Sequence, residues 1–254
     1  MTQINSAHFV RDIATSELSD IMATPDSFRL YYFSIQGLGQ TSRDILEYAG
    51  AKWEMVHPDA DWGTQKAETP FGCMPVLHVL RGEKTVILSE SVAVEQYLAK
   101  HFGLMGKNEY EEALIKAFHT SSMAMMGIFG GTVTWNMPEV QDKCLQMFKE
   151  VMLTNWVKTH ERHLIDNGSN GHYFGDELTV ADIKTANLID HFAMQPAGPE
   201  LIEIIKKAPT LWKVKETVDN HPKMAEYRNS SAYKELTERT IAFYKNPRAA
   251  TGTA

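Results

Sequence analysis

Cysteine is scarce in this sequence: Cys73 and Cys144 are the only two among 254 residues. Two cysteines are too few for a disulfide framework or a cysteine metal site, so their number favours a reducing compartment. Histidine adds no metal signal, because His160 and His163 in the segment HERH lack the HExxH spacing of zinc enzymes. We interpret HERH as a solvated helix face and expect no metal.

Basic runs and long apolar runs are also missing. The net charge is -7 and Lys and Arg are scattered, which argues against a nucleic-acid partner. No apolar run approaches the roughly 18 residues that a membrane helix needs, and the first residues lack the apolar centre of a secretory signal. Asp12, Glu17 and Asp20 outnumber Arg11, unlike a transit peptide. The sequence therefore predicts a cytoplasmic protein without a membrane partner.

The first hundred residues contain both strand and helix patterns. Alternating or continuous apolar residues predict strands, and apolar spacings of three and four predict helices. The segment Arg81-Gly82-Glu83-Lys84 between two apolar runs indicates an antiparallel hairpin. The predicted order is βαβ followed by ββα, with strand 29–34, helix 41–49, strand 53–57, strands 76–80 and 85–89, and helix 91–102.

The remaining sequence is predicted to be helical. Past Gly106 the strand patterns vanish and long helical patterns replace them. In LTVADI, Thr179 can cap a helix while Asp182 bonds back and Leu178 staples against Ile183. We therefore expect an α/β domain over 28–104 and an all-helical domain over 109–245. The first 27 residues form an N-terminal extension with a short amphipathic helix, indicated by Val10, Ile13, Leu18, Ile21 and Met22.

Two residues near the hairpin suggest a binding site. Pro75 stands directly before a strand, where a cis peptide would expose the preceding backbone for β-like pairing. A trans proline that only opens the strand is the simpler interpretation. Ser91 stands at a predicted helix start, where free N–H groups and the helix dipole favour an anion. Its simpler interpretation is an ordinary helix cap.

Four segments together resemble the cytosolic glutathione transferases, most closely the tyrosine-type classes and the sigma class among them. In order they are YYFSIQGLGQTSR, DWGTQKAETPFGCMPVL, LSESVAVEQYL and LTVADI, within residues 29–227. The resemblance implies a thioredoxin-like domain followed by a helical domain, usually as a homodimer. It also implies glutathione as cosubstrate, with no metal.

The resemblance makes Tyr32 the hydroxyl that activates the glutathione thiol. Strand alternation would place Tyr31 and Phe33 on the opposite face from Tyr32 and Ser34, so Tyr31 is expected to be a packing residue. Ser34 is the alternative thiol donor, as a serine is in other classes of the family.

The resemblance also places residues around the rest of glutathione. Trp62 and Lys66 would lie near the glycyl carboxylate, although Trp62 could be core and Lys66 a solvated charge. The backbone of Met74, before Pro75, would pair with the cysteinyl part. Glu90 and Ser91 would bind the γ-glutamyl end.

Three positions depart from the sigma-like pattern. Leu38 stands where relatives often carry arginine, and Cys73 stands where they often carry lysine, so both positions lose a positive charge. Met123 and Ala124 replace carboxylates on the first long helix of the helical domain. The predicted site is therefore less polar than in those relatives. We interpret Cys73 as a small packing residue, since it belongs to no Cys-x-x-Cys motif.

These features predict a glutathione transferase that conjugates glutathione to small hydrophobic electrophiles. Met126, Trp135 and aromatic residues near Tyr244 are candidates for an apolar pocket, although the same residues could be core. Phe71 stands where some classes present an aromatic key to the partner of a homodimer. The alternatives are a non-catalytic ligand-binding protein of the same fold, or a glutathione-dependent isomerase or peroxidase.

Overall fold

The computed structural model describes residue 9, residues 14–58 and residues 62–247. Backbone contacts divide the chain into two compact units, residues 1–103 and 104–254. Within the described residues, no helix is both long enough and apolar enough to cross a bilayer.

The first unit contains a four-stranded mixed sheet. Its strand order is β2-β1-β3-β4, with β1 parallel to β2 and antiparallel to β3, and β3 antiparallel to β4. This arrangement confirms the predicted βαβ then ββα order. The elements are α1 (Thr15–Ala23), β1 (Ser27–Tyr31), α2 (Gln40–Tyr48), β2 (Trp53–Val56), α3 (Trp62–Gln65), β3 (Val76–Arg81), β4 (Lys84–Ser89) and α4 (Ser91–His101).

One face of the sheet forms the core of this unit. Phe28 and Leu30 of β1 lie opposite Val79 and Leu77 of β3, and all four side chains are buried. Residues two apart on a strand share a face, so these apolar side chains form one continuous surface. The ring of Phe102, just after α4, meets Phe28 edge to face at 5.8 Å between centroids. The alternation of apolar residues in the sequence therefore explains which face is covered.

The first strand is shorter at its end than the sequence predicts. The prediction of a strand over 29–34 is wrong, because β1 ends at Tyr31 and the chain turns into a 3-10 helix at Gly37–Gly39. The N–H of Tyr32 still donates to Val56 O at 3.1 Å. Beyond it, the carbonyls of Phe33 and Ile35 accept from the Arg43 guanidinium, each at 2.9 Å. These hydrogen bonds replace a strand ladder.

In the described part of the N-terminal extension, residues Thr15–Ala23 form helix α1. Ile21 of α1 is 2% exposed, so the apolar side of the helix is buried as its spacing predicts. After α1, the Asp26 carboxylate accepts a 2.7 Å hydrogen bond from the Gly82 N–H in the β3–β4 turn. Val10 and Ile13 lie outside the described residues.

Between residues 104 and 247 the second unit contains helices joined by loops and no strand, as predicted. Two π-helical segments, Gly130–Thr134 and Phe148–Leu153, interrupt the helices. The helices are α5 (Glu109–Phe129), α6 (Pro138–Met147), α7 (Thr154–Asp166), α8 (Val180–Ala193), α9 (Gly198–Ile205), α10 (Pro209–Asn220), α11 (Pro222–Arg228) and α12 (Ser231–Lys245).

The buried helix α8 begins at the predicted capping box. The Asp182 carboxylate accepts from the Thr179 N–H and from the Tyr173 N–H, both at 2.8 Å, while the Thr179 side chain accepts from the third-position backbone. Asp182 is 0% exposed. A buried carboxylate with several N–H partners fixes both the helix start and the preceding loop.

Candidate functional site

Tyr32 lies at the end of β1 with its hydroxyl held by the backbone. Its side chain is 6% exposed, and its Oη accepts a hydrogen bond from the Leu38 N–H at 2.8 Å. A phenol oxygen that accepts from an N–H keeps its own proton for donation to a third group. Burial raises the pKa of Tyr32, against smaller lowering effects from the Leu38 N–H and the Arg43 charge. Tyr32 is therefore a protonated hydrogen-bond donor at neutral pH.

The glycines on either side of Leu38 allow the loop to close over this tyrosine. A Cβ at Gly37 would stand 2.5 Å from Tyr32 Oη, and one at Gly39 would stand 2.6 Å from its Cδ1. Gly37 also has φ of 42°, a left-handed conformation that favours glycine. Leu38 itself is half-buried and packs against the apolar cluster that contains Tyr32. Its backbone N–H, rather than its side chain, acts on the hydroxyl.

Arg43 organises this loop, and the sequence analysis missed it. Its side chain is 1% exposed, and its guanidinium carbon lies 5.5 Å from the centroid of the Tyr32 ring. Besides Phe33 O and Ile35 O, the guanidinium donates to Gln36 O at 3.1 Å. A position four residues after Gly39 lies on the same side of the helix as the glycine loop, which is the signal that could have identified Arg43.

Two of the predicted glutathione-binding residues join Tyr32 in one apolar cluster. Met74 is 6% exposed, and the half-buried Trp62 packs against the same group. The Trp62 ring meets Phe33 edge to face at 5.4 Å. The Met74–Pro75 peptide bond is cis. Tyr31 also belongs to this cluster and is 1% exposed, so it is a packing residue, as predicted.

A second set of predicted residues forms a polar neighbourhood around Cys73. The Cys73 thiol donates to the Glu90 carboxylate at 3.4 Å. Burial and this carboxylate raise the pKa of Cys73, with a smaller opposing effect from Lys66. Lys66 is exposed and offers a cationic group to solvent. Cys73 therefore remains a thiol at neutral pH and is a poor nucleophile itself.

Ser91 begins α4, as predicted, and Glu90 precedes it in an unusual conformation. Glu90 has φ of 75°, which for a residue other than glycine costs on the order of 1 kcal/mol. Ser91 is 5% exposed. The first N–H groups of a helix have no intrahelical acceptor and carry the positive end of the dipole, so this corner suits a carboxylate.

Comparisons with known proteins agree with this geometry. Residues 130–231 match the family "Glutathione S-transferase, C-terminal domain". The chain is 29% identical to probable glutathione S-transferase 7 of Caenorhabditis elegans, over 63% of this chain and 77% of the relative. It is 25% identical to S-crystallin 4 of Enteroctopus dofleini, over 79% of this chain and 95% of the relative. The solved glutathione S-transferase of Ascaris lumbricoides superposes with a TM-score of 0.65 at 27% identity, covering 82% of this chain and all of that one (100%). The chain is therefore similar to glutathione S-transferases in both sequence and fold.

The helical unit contains a cavity of about 260 Å³. Apolar side chains including Phe129 and Leu145 line it, together with the polar Gln195 and Tyr244. Trp135 and Met126, which the sequence proposed for an apolar pocket, are not among the lining residues. Trp135 is 46% exposed and contacts Phe243, whereas Met126 is buried.

The interpretation of HERH as a solvated face is wrong for His160. This side chain is 3% exposed, its Nδ1 is hydrogen-bonded to the Tyr173 hydroxyl, and its Nε2 lies 2.9 Å from Ser121 Oγ. The opposite side of α7 is the exposed one, with Arg162 in solvent. Burial lowers the pKa of His160 to about 3. Among the described residues, no group of three or more His, Cys, Asp and Glu side chains could hold a metal ion.

Proposed function

We propose that this protein is a glutathione transferase in which the Tyr32 hydroxyl holds the glutathione sulfur as a thiolate. The 2.8 Å hydrogen bond from the Leu38 N–H to Tyr32 Oη is the observation that carries the proposal. It orients the phenol and leaves its proton for the sulfur. The thiolate would then attack a small hydrophobic electrophile, with no metal or other cofactor.

The proposed glutathione site combines Tyr32 with residues on or just after α3, before β3 and at the start of α4. The exposed Lys66 supplies a cation for the glycyl carboxylate, and the start of α4 supplies N–H groups for the γ-glutamyl carboxylate. A tripeptide with two carboxylates and one thiol presents the three groups that Lys66, the start of α4 and the Tyr32 hydroxyl would bind. The proposed contact residues are Trp62, Lys66, Met74, Pro75, Glu90 and Ser91.

The energy that Tyr32 must supply is modest. A free thiol has pKa about 8.5, so only a few per cent is thiolate at neutral pH. Lowering that pKa by roughly two units requires about 2.7 kcal/mol of preference for the thiolate. One hydrogen bond to a charged acceptor contributes about 1.5–3 kcal/mol. The raised pKa of Tyr32 keeps the phenol protonated over the range in which the thiolate forms.

We also propose a cytoplasmic homodimer. Phe71 is 58% exposed, an unusual position for a large aromatic side chain, and an isologous interface would bury it twice. Each burial contributes up to roughly 1.5–3 kcal/mol. Along α5, five of the exposed positions are small and uncharged, and they would let a second helix approach closely: Ala113, Ala117, Thr120, Ala124 and Gly127. Light scattering that returns a monomer across micromolar concentrations would contradict this part of the proposal.

The decisive experiment compares three single substitutions. Tyr32→Phe keeps the ring and removes the donor, so we expect glutathione to bind while the far-ultraviolet thiolate absorbance and the turnover at neutral pH fall roughly 10- to 100-fold. Tyr31→Phe and Ser34→Ala are the matched controls and should change neither quantity. If Ser34→Ala abolished turnover while Tyr32→Phe retained it, the serine would be the thiol donor instead.

A non-catalytic binding protein is the second candidate. Leu38 and Cys73 favour it, because both replace positive charges of sigma-like relatives, and the likeness to an S-crystallin allows it. A screen over aryl halides, enones and hydroperoxides separates the candidates. Turnover of aryl halides or enones supports conjugation, turnover of hydroperoxides indicates a peroxidase, and glutathione binding without any turnover indicates the non-catalytic protein.

A further inference from the structure

The exposed Phe71 ring is already contacted by a residue of its own chain. Phe9, in the N-terminal extension, meets Phe71 edge to face, with 5.5 Å between ring centroids and 64° between ring planes. Phe9 is itself 37% exposed. Edge-to-face rings at this separation attract each other beyond their area of burial. The contact therefore occupies one side of Phe71 and leaves the other side open.

Helix α1 anchors the extension to the first unit. The Asp20 carboxylate pairs with Arg81 at 2.9 Å, and the buried Ile21 holds the apolar side of the helix. At the end of α1, the Tyr97 hydroxyl of α4 donates to Met22 O at 2.9 Å. The helix is thus tied to the β3–β4 hairpin and to α4 by contacts that do not involve Phe9.

The anchored helix keeps Phe9 close to Phe71. Only four residues separate Phe9 from Ala14, where the described chain resumes, so the tether spans at most roughly 18 Å. Two groups joined by a short tether experience an effective concentration in the millimolar range. A second protein copy at micromolar concentration meets Phe71 far less often than Phe9 does.

We propose that Phe9 is an intramolecular competitor for the surface at Phe71, which it must leave before a second copy of this chain can bury that ring. The occupant of the vacated surface is the partner subunit of the homodimer. The inference rests on the homodimer proposed above. It assigns a role to the N-terminal extension, because the position of the Phe9 side chain would then control dimer assembly.

The expected size of the effect follows from the requirement that both subunits open. If Phe9 holds Phe71 for nine-tenths of the time, about one-tenth of each subunit is competent to dimerise. An isologous interface needs two competent subunits, so the dimer dissociation constant rises about 100-fold above its intrinsic value. Removing Phe9 should lower that constant by up to the same factor.

A double-mutant cycle on the full chain tests the proposal. The variants are Phe9→Ala, Phe71→Ala and the pair together, with Ser16→Ala on the exposed side of α1 as a control that leaves the contact intact. Sedimentation across nanomolar to micromolar concentrations gives the dissociation constant of each variant. Circular dichroism and glutathione binding are measured on every variant to establish that it is folded.

We expect Phe9→Ala to tighten the dimer by roughly 10- to 100-fold, and to have no effect in the Phe71→Ala background. A dimer whose dissociation constant is unchanged or raised by Phe9→Ala overturns the competition while the homodimer stands. If every folded variant is a monomer at all concentrations, both the competition and the homodimer are wrong. The transferase assay on the same samples shows separately whether the proposed activity survives.

Discussion

Replacing Gly39 by alanine should impair catalysis by pushing on the Tyr32 ring. The added Cβ would stand 2.6 Å from Tyr32 Cδ1 and 2.7 Å from Cγ, whereas carbon atoms pack best at about 3.5–4.0 Å. The ring must therefore move by about 1 Å or the loop must lift by as much. Neither movement has free space, because the Tyr32 side chain is 6% exposed and Gly39 is buried. Overpacking of this kind costs about 1–3 kcal/mol of stability.

The catalytic effect should exceed the effect on binding. A displacement of about 1 Å at a reacting group can cost on the order of 100-fold in rate. We therefore expect Gly39→Ala to lower kcat/KM at neutral pH by 10- to 100-fold and to raise the apparent pKa of bound glutathione, measured by thiolate absorbance against pH. Glutathione affinity from calorimetry should change much less, because the proposed carboxylate contacts involve Lys66 and the start of α4 rather than Tyr32.

Gly131→Ala is the matched control for that substitution. A Cβ at Gly131 meets nothing within 4 Å, and the residue is exposed. It should leave the thiolate pKa and the rate unchanged. Unaltered thiolate absorbance and rate in a folded Gly39→Ala protein would refute the argument that the glycine loop positions the hydroxyl.

Three further perturbations have outcomes that the structure fixes in direction. Ser91→Ala should weaken glutathione binding in calorimetry by roughly 5- to 50-fold, while Cys73→Ala changes it little; the reverse order would mean that the thiol is functional. Asp182→Ala should lower the free energy of unfolding in urea by about 2–4 kcal/mol, since it removes a buried acceptor of several N–H groups. A decrease smaller than the one that loss of an exposed helix cap causes would show that these N–H groups find other acceptors. The pKa of buried His191 is lowered to about 3 by desolvation first, so the unfolded chain binds its proton near pH 6.5 and the folded chain does not. The contribution of neutral His191 to the free energy of unfolding is complete above pH 6.5. It is lost as pH falls, and the loss is about 2 kcal/mol at pH 5. His191→Gln should reduce the difference in unfolding free energy between pH 7 and pH 5, and an unchanged difference would assign that acid sensitivity to other groups.

The sequence predicted those parts of the fold that depend on neighbouring residues. The β3–β4 hairpin formed around Gly82 and Glu83, and the capping box formed between Thr179 and Asp182, because each requires residues at most a few positions apart. The same holds for Ser91, which begins α4 as expected.

Features that depend on distant partners were not predictable in the same way. The end of β1 is set by Arg43, ten residues beyond Phe33, whose guanidinium takes the carbonyls that would have extended the strand. His160 looked solvated because two charged residues follow it, yet its own side of α7 faces Tyr173. The position of Tyr32 before the glycine loop was visible in the sequence. The hydrogen bond from Leu38 to its hydroxyl required the three-dimensional fold.

The guanidinium of Arg43 links the loop that follows β1 to the ring of Tyr32. A positive charge that is 1% exposed is tolerable only while the carbonyls around it are in place. Breaking a buried charge from its acceptors costs about 3–5 kcal/mol, a large fraction of the stability of a typical domain. A version of this unit with a formed sheet and a loosened glycine loop would lose the hydrogen bonds from Arg43 to Phe33 O, Ile35 O and Gln36 O. We therefore expect formation of the sheet and alignment of the Tyr32 phenol to be coupled through Arg43, and we expect natural variants of this loop to preserve the carbonyl acceptors of the arginine.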